Sequence, residues 1–344
     1  MPCRVFLTST PDHWQPWEGT PYIEAVTADF RLRSQNEFTL TDLPQDADII
    51  LFLEPNYFKG REYARMLLRH ELIREFPNQC FVFSYDDFPI GYLPGVYVAM
   101  PRQAMDCKRF RTCSYLQEPN PFCIEKTDEN IQPHFLFSFR GARSAAVRES
   151  IFNLANGLQG SASITEMKKW YNHSDEEKKA YVHEILESKF VLCPRGQGVS
   201  SHRLFETMKL GRVPVILSDP WVQPDGPDWL NCSVRISEQN VRLIPQILAD
   251  LESRAEAMGR LAREEWIKWF SPQSRVFTVL KYIEDIKRQR DTDERDLQKL
   301  WLKNSFYIPY GLHPWQRIKE RFKSGQWIEP IRRRLKQAIA RKKH

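Results

Sequence analysis

Residues 190–229, FVLCPRGQGVSSHRLFETMKLGRVPVILSDPWVQPDGPDW, contain a complete strand, loop, helix and strand. The apolar run 190–193 ends at Cys193 and gives way to a loop holding Arg195, Gly196 and Gly198. Helical spacing covers 201–210, Gly211 follows as its stop, and VPVIL at 213–217 is a second apolar run. Strand, helix and strand in that order predict a right-handed crossover between parallel strands. In an open sheet of this kind the ligand crevice lies beyond the carboxyl ends of the strands. Glycines there let the backbone approach a ligand, and free N–H groups at the helix start favour an anion. Arg195 adds a permanently charged fork suited to phosphate. The loop therefore reads as a pocket for a diphosphate. Arg203 and Glu206, three apart, share a helical face near its opening, where the carboxylate can accept from ribose hydroxyls. On spacing alone the two also fit an ordinary surface ion pair.

Outward from this unit the same rhythm recurs. Residues 4–7 and the run 49–53 in DADIILFLEPN have strand character, the second bounded by turn residues as in a buried parallel strand. Tyr63, Met66, Leu67, His70 and Ile73 recur at helical spacing, and CFVFS (80–84) is the next strand, stopping at Tyr85-Asp86-Asp87. Residues 135–139 open a second strand series. Ser174 and Glu177 form a capping-box pair for a helix that runs to about Glu187. Ser237 caps a helix through 251, and further helices span 254–270 and, behind Ser271-Pro272, 273–290. The Pro- and Cys-rich region 94–133 separates the two series. The expected fold is α/β: two Rossmann-like domains, 1–130 and 131–290, facing across a cleft, with C-terminal helices and a basic helical tail at 291–344.

Composition narrows the class. With 344 residues the chain exceeds the usual size of one core, and 42% hydrophobic and 12% aromatic content excludes disorder. No apolar run approaches the ~20 residues of a membrane helix. The start, MPCRVFLTSTPDHW, shows no secretory leader, so a cytoplasmic protein is expected. Cys3, Cys80, Cys107, Cys113, Cys123, Cys193 and Cys232 include no CxxC pair, which speaks against a zinc knuckle or disulfide framework. The net charge of +6 is local: residues 317–344 hold eleven Lys or Arg against two acids. Removing these from the totals of 50 and 44 leaves 39 basic and 42 acidic residues, so the body is slightly acidic. Nucleic acid is not an expected partner.

The 190–229 segment resembles the exostosin family, glycosyltransferase family 47, whose pattern of LCPRG, a short gap, S-x-R-x-x-E, VPV and a Trp-containing loop is matched by Leu192, Cys193, Pro194, Arg195, Gly196, Ser201, Arg203, Glu206, Val213, Val215, Trp221 and Pro224. FSFRGARSAAVRESIF (137–152) resembles the block that opens the family's donor domain, so the match spans about 135–236. The resemblance implies a GT-B fold, a nucleotide-sugar donor (usually a UDP-sugar) held by 131–290, an acceptor-side first domain, inversion at the anomeric carbon and no divalent metal. No cofactor is implied, the nucleotide sugar being a substrate. The DxD at Asp291 and Asp293 lies in the polar run RQRDTDERD and reads as a solvated helix end. By residue, Arg140 and Arg195 are expected to bind phosphate, Gly141 and Gly196 to give backbone access, Ser201 and Arg203 to border the pocket and Glu206 to hold the ribose. Arg143 and Arg148 are secondary candidates, Arg148 being equally placed to point outward from its helix.

Inversion by direct displacement needs a general base, expected from the first domain. Asp86 and Asp87 sit just past a strand end, and two adjacent carboxylates raise one pKa. Their bland alternative is a turn pair; Glu54 and His13 are positional rivals. In the tail, Ile328, Ile331, Leu335 and Ile339 recur at helical spacing among Arg and Lys, a pattern that suits an anionic bilayer and a lipid-linked acceptor or, equally, packing on the body. The expected partners are thus a nucleotide-sugar donor and a glycan or lipid-linked acceptor. The competing class is a non-catalytic glycan- or partner-binding protein on the same fold.

Overall fold

The computed structural model describes residues 2–311 except 10–15, 33–36, 55–58, 119, 125–130, 156–157, 159 and 169–172. His13 and the basic stretch 317–344 lie outside the described residues.

The chain builds two sheets, every strand pair within them parallel. The first contains β1 (Cys3–Thr8), β2 (Phe38–Leu40), β3 (Ile49–Glu54), β4 (Cys80–Ser84), β5 (Gly95–Tyr97) and β6 (Phe110–Arg111), in the order β2-β1-β3-β4-β5-β6. Helix α1 (Pro16–Arg31) links β1 to β2, and α2 (Arg61–Arg69) with α3 (Glu71–Glu75) links β3 to β4. The second sheet has the order β11-β10-β9-β7-β8, from β7 (Phe135–Gly141), β8 (Ala162–Glu166), β9 (Ser188–Pro194), β10 (Val213–Leu217) and β11 (Val234–Arg235). Its helices are α4 (Ala146–Leu154), α5 (Asp175–Leu186), α6 (His202–Lys209), α7 (Trp229–Cys232), α8 (Ile244–Leu251) and α9 (Ala255–Trp269). Then come α10 (Arg275–Gln289) and α11 (Glu294–Gln298).

The long apolar runs become central strands because both of their faces are covered: all six residues of β3 and all five of β10 are buried. Ser174 caps α5 with both bonds of the capping box in place. Gly211, at φ +69°, ends α6 in the left-handed region that its lack of Cβ permits. Two helices differ from expectation. The one expected through 63–73 breaks at His70, whose extended backbone (ψ 127°) separates α2 from α3. The one expected from Ser237 begins as a 3-10 turn, Glu238–Leu243, and turns α-helical only at Ile244.

The C-terminal elements require a correction. Helix α10 packs against α1 and β5 of the first domain, with Phe277 5.4 Å from Phe30 and 6.1 Å from Phe38, ring centre to ring centre. Buried Arg275 at its start pairs with buried Asp29 of α1. Residues 291–311, read from sequence as part of the tail, join the first domain's core: Trp301 is 0% exposed and packs edge-on to Tyr92, beside Tyr307. One core cluster runs from β1, β3 and β4 through α10 to α5, α6, α9 and the inner face of β9, so the domains share apolar interior.

Candidate active site

The donor-side residues gather at the carboxyl ends of β7 and β9. Ser201 is the N-cap residue of α6, with extended backbone and no side-chain cap hydrogen bond to the helix start. Arg148 of α4 points inward, not outward. Its Nε donates to the Arg195 carbonyl at 2.9 Å, and its terminal nitrogens donate to the carbonyls of Pro194 (3.3 Å) and Ala142 (3.4 Å). It thereby ties the loop after β7 to the loop after β9. Burial first, then the neighbouring Arg203, pulls its pKa down. Gly196 lies directly over it: a Cβ there would sit 3.4 Å from an Arg148 terminal nitrogen, and one at Gly141 would sit 3.4 Å from terminal nitrogens of both Arg148 and Arg203.

Arg203 lies between aromatic rings, 4.8 Å over Phe139 and 5.4 Å over Tyr181. One terminal nitrogen donates to the Arg140 carbonyl; Nε and the other are buried with no hydrogen-bond partner among the described residues. Arg203 and Glu206 form no ion pair. Glu206 instead accepts from the Tyr181 hydroxyl at 2.6 Å, and burial raises its pKa. Arg140 and Arg195 border the site already engaged, Arg140 with Glu184 at 2.6 Å and Arg195 with Glu238 at 2.7 Å. Arg143 is drawn away to exposed Glu166 and Glu149. Asp293 caps α11 by accepting from the Arg295 amide, and Asp291 pairs with Lys108, so both acids of the DxD have local roles.

The two adjacent aspartates of the first domain separate sharply. Asp86 is buried and accepts from Lys59 Nζ at 2.8 Å and from the Phe88 amide at 2.9 Å. Lys59 also lies 3.6 Å from Glu54, which accepts from the Tyr63 hydroxyl; burial raises the Glu54 pKa. These two carboxylates and one ammonium form a buried internal cluster. Asp87 faces the other domain. It packs on Gly198, where a Cβ would fall 3.0 Å from the Asp87 Cα and closer still to its carboxyl. Burial chiefly, with Asp86 adding and Arg148 opposing, raises the Asp87 pKa to about 6.

Sequence reasoning could not see Tyr181, Tyr115 or the inward turn of Arg148, because helix phase against a distant loop leaves no local signature. Tyr115, in the crossing segment, stacks on His202 of α6 at 3.5 Å. Trp221 is buried and bridges Pro101, and the Arg102 amide donates to the Pro220 carbonyl at 2.8 Å, a strap between the domains.

Two parallel α/β sheets meeting at their carboxyl ends, with a glycine- and arginine-lined loop on one side and a carboxylate on the other, make the two-domain arrangement of a GT-B fold. Residues 97–251 match the Exostosin GT47 domain model. The chain is 28% identical over 282 residues to an exostosin-1 homolog of Caenorhabditis elegans, covering 73% of this chain and 70% of that protein. It is 29% identical over 171 residues to exostosin-1 of Drosophila melanogaster, 44% of this chain but 22% of that longer one. Over the stretch these comparisons cover, the chain is thus similar to exostosin-type glycosyltransferases. Among solved structures it aligns with TarM (TM-score 0.41, 10% identity, 78% of this chain and 58% of that one). It also aligns with Anabaena Alr3699/HepE in complex with UDP (TM-score 0.41, 8% identity, 84% of this chain and 100% of that one). No helix among the described residues is long and apolar enough to cross a membrane.

Proposed function

We propose that this glycosyltransferase inverts the anomeric centre, works without a divalent metal and moves a sugar from a UDP-sugar to a glycan or lipid-linked acceptor. One observation carries the reading: Asp87, with a pKa of about 6, reaches across to the Gly198 loop beside Arg148. A carboxyl of that pKa is ionised at neutral pH yet basic enough to take a proton. In this reading Asp87 removes the acceptor hydroxyl proton as that oxygen attacks the anomeric carbon opposite the leaving diphosphate. The diphosphate lies at the start of α6, against the amides of Gly141 and Gly196 and beside Ser201. Arg203 offers it two unpartnered buried nitrogens, while Arg140 and Arg195 share it with Glu184 and Glu238. Fixed arginines and helix-start amides then stabilise the charge that a cation would otherwise meet. Glu206 holds the ribose, oriented by Tyr181. UDP as the nucleotide follows the exostosin resemblance. A cytoplasmic setting, with the basic 317–344 stretch as a peripheral membrane contact, belongs to the same proposal; it is supported by seven unpaired thiols, which suit a reducing compartment.

The test is a screen of UDP- and GDP-sugars read by release of free nucleotide, with and without chelator. Turnover of a UDP-sugar that survives chelation is expected. A folded protein that turns over no nucleotide sugar sinks the reading, and loss of turnover on chelation sinks its metal-free part.

A further inference from the structure

Between the domains lies a second space, a half-open cavity of about 320 Å³. Ala25 of α1, Tyr85 just past β4, Tyr115, Gln117, His202 of α6 and Arg275 of α10 line it. We propose that this cavity is the acceptor subsite and that it takes a neutral pyranose, with one hydroxyl turned towards Asp87. The inference rests on the reading of Asp87 as base and adds where the acceptor sits and what charge it carries.

Position argues first. Tyr85 precedes Asp87 by two residues, a chain distance of roughly 7 Å. Tyr115 feels the Asp87 carboxylate, which together with burial raises its hydroxyl pKa. On its other side Asp87 rests on Gly198 of the donor loop. The carboxylate thus stands between the cavity and the diphosphate pocket, where a base must stand to serve both substrates. The volume lies at the lower end of the range for small-ligand sites, about 300–1,000 Å³, and suits one sugar ring.

Charge argues second. Arg275 is paired with Asp29 and lies 3.7 Å from Glu118, and Lys209 pairs with Glu118 at 2.6 Å. Two cations and two carboxylates cancel, and Glu206 close by adds no positive charge. Burial pushes the His202 pKa down to about 4, so its ring is neutral at physiological pH. Among the described residues nothing is left over to attract a uronate or a phosphate. What remains is hydrogen bonding from Gln117, Glu118 and the tyrosine hydroxyls, with aromatic faces for the C–H side of a sugar ring.

The test is ligand-observed NMR with methyl β-D-glucopyranoside, methyl β-D-galactopyranoside, methyl α-D-mannopyranoside and methyl β-D-glucuronopyranoside. At least one neutral glycoside is expected to bind the wild-type chain, with the glucuronoside at least tenfold weaker. Gln117→Trp and Ala25→Phe fill the cavity from opposite walls; either variant that keeps the wild-type melting temperature should weaken binding at least tenfold. Equal or tighter binding of the glucuronoside, binding by no neutral glycoside, or wild-type affinity in a folded filled variant overturns the proposal. Because binding is read without donor, absence of nucleotide-sugar turnover would sink the catalytic reading while glycoside binding lost on filling would still uphold the cavity. Turnover with an acceptor KM unmoved by filling would sink the cavity alone.

Discussion

The carboxyl ends of the two parallel sheets carry opposite chemistry. At the first, Glu54 and Asp86 flank a single buried lysine, Lys59, while Asp87 turns away towards Gly198 of the other domain. At the second, Arg148 and Arg203 sit beneath glycines, their hydrogen bonds going to carbonyl oxygens and not to carboxylates. One end has carboxylate in excess and the other guanidinium in excess. In the proposed reading the two ends divide the labour of displacement: the acidic end supplies the carboxylate that accepts a proton, and the cationic end the guanidinium nitrogens that meet a leaving anion.

The sharpest way to break this contrast is Asp87→Asn. Transfer should fall about 10²–10⁴-fold, the usual worth of a general base, in an initial-rate assay. The same change should stabilise the fold at pH 8. A carboxyl whose folded pKa is raised to about 6 favours folding below its unfolded value and loses that contribution as pH rises through about 6. Asparagine cannot ionise, so a gain of about 1–2 kcal/mol is expected at pH 8, allowing for partial exposure, and none near pH 4. Undiminished transfer removes Asp87 from catalysis; a loss of stability at pH 8 removes the argument from burial.

Next in size is Lys59→Met. The ammonium is 1% exposed and lies 2.8 Å from Asp86 and 3.6 Å from Glu54. Removing it strands two buried carboxylates, and urea denaturation should show a loss of about 3–5 kcal/mol. The deficit should shrink as pH falls, because protonation of Glu54, whose pKa burial already raises, removes one of the stranded charges. A change under about 1 kcal/mol at pH 8 would mean that the acidic end needs no internal counter-charge.

Gly198→Ala tests the contact between the ends. A Cβ at this position runs into the backbone and carboxyl of Asp87, so the two loops must part. Loss of transfer by about 10–100-fold is expected, in keeping with the cost of a misplaced catalytic group, while melting stays near wild type. Wild-type kcat would show that the apposition of Asp87 and the donor loop is dispensable.

Legibility followed the same division. In the second domain Arg195, Gly196, Ser201, Arg203 and Glu206 stand at spacings set by one strand-to-helix turn, so local sequence is enough to bring them together. In the first domain β3 and β4 were readable as continuous apolar runs, but β5 has three residues and β6 two, too few to show any period. Asp86 and Asp87 could not be told apart because the lysine that neutralises one of them lies 27 residues away along the chain. The return of α10 and Trp301 to the first sheet was hidden for a related reason: an amphipathic helix declares that it has a buried face, not which sheet will cover it.

The smallest effect is expected from Tyr181→Phe, and it probes the one carboxylate at the cationic end that the donor itself is proposed to use. The Tyr181 hydroxyl donates to Glu206 at 2.6 Å, a bond that favours the ionised carboxylate against the burial that opposes it. Phenylalanine keeps the ring beneath Arg203 and deletes only that donor. A net loss of about 1 kcal/mol, a several-fold rise in the dissociation constant for UDP, should result by calorimetry. The direction with pH separates this from a packing effect. Without the donor the Glu206 pKa rises further, so the pH below which UDP affinity falls should move upward. A uniform loss at every pH would place Tyr181 as support for the helices alone, and no loss would take Glu206 out of the nucleotide site.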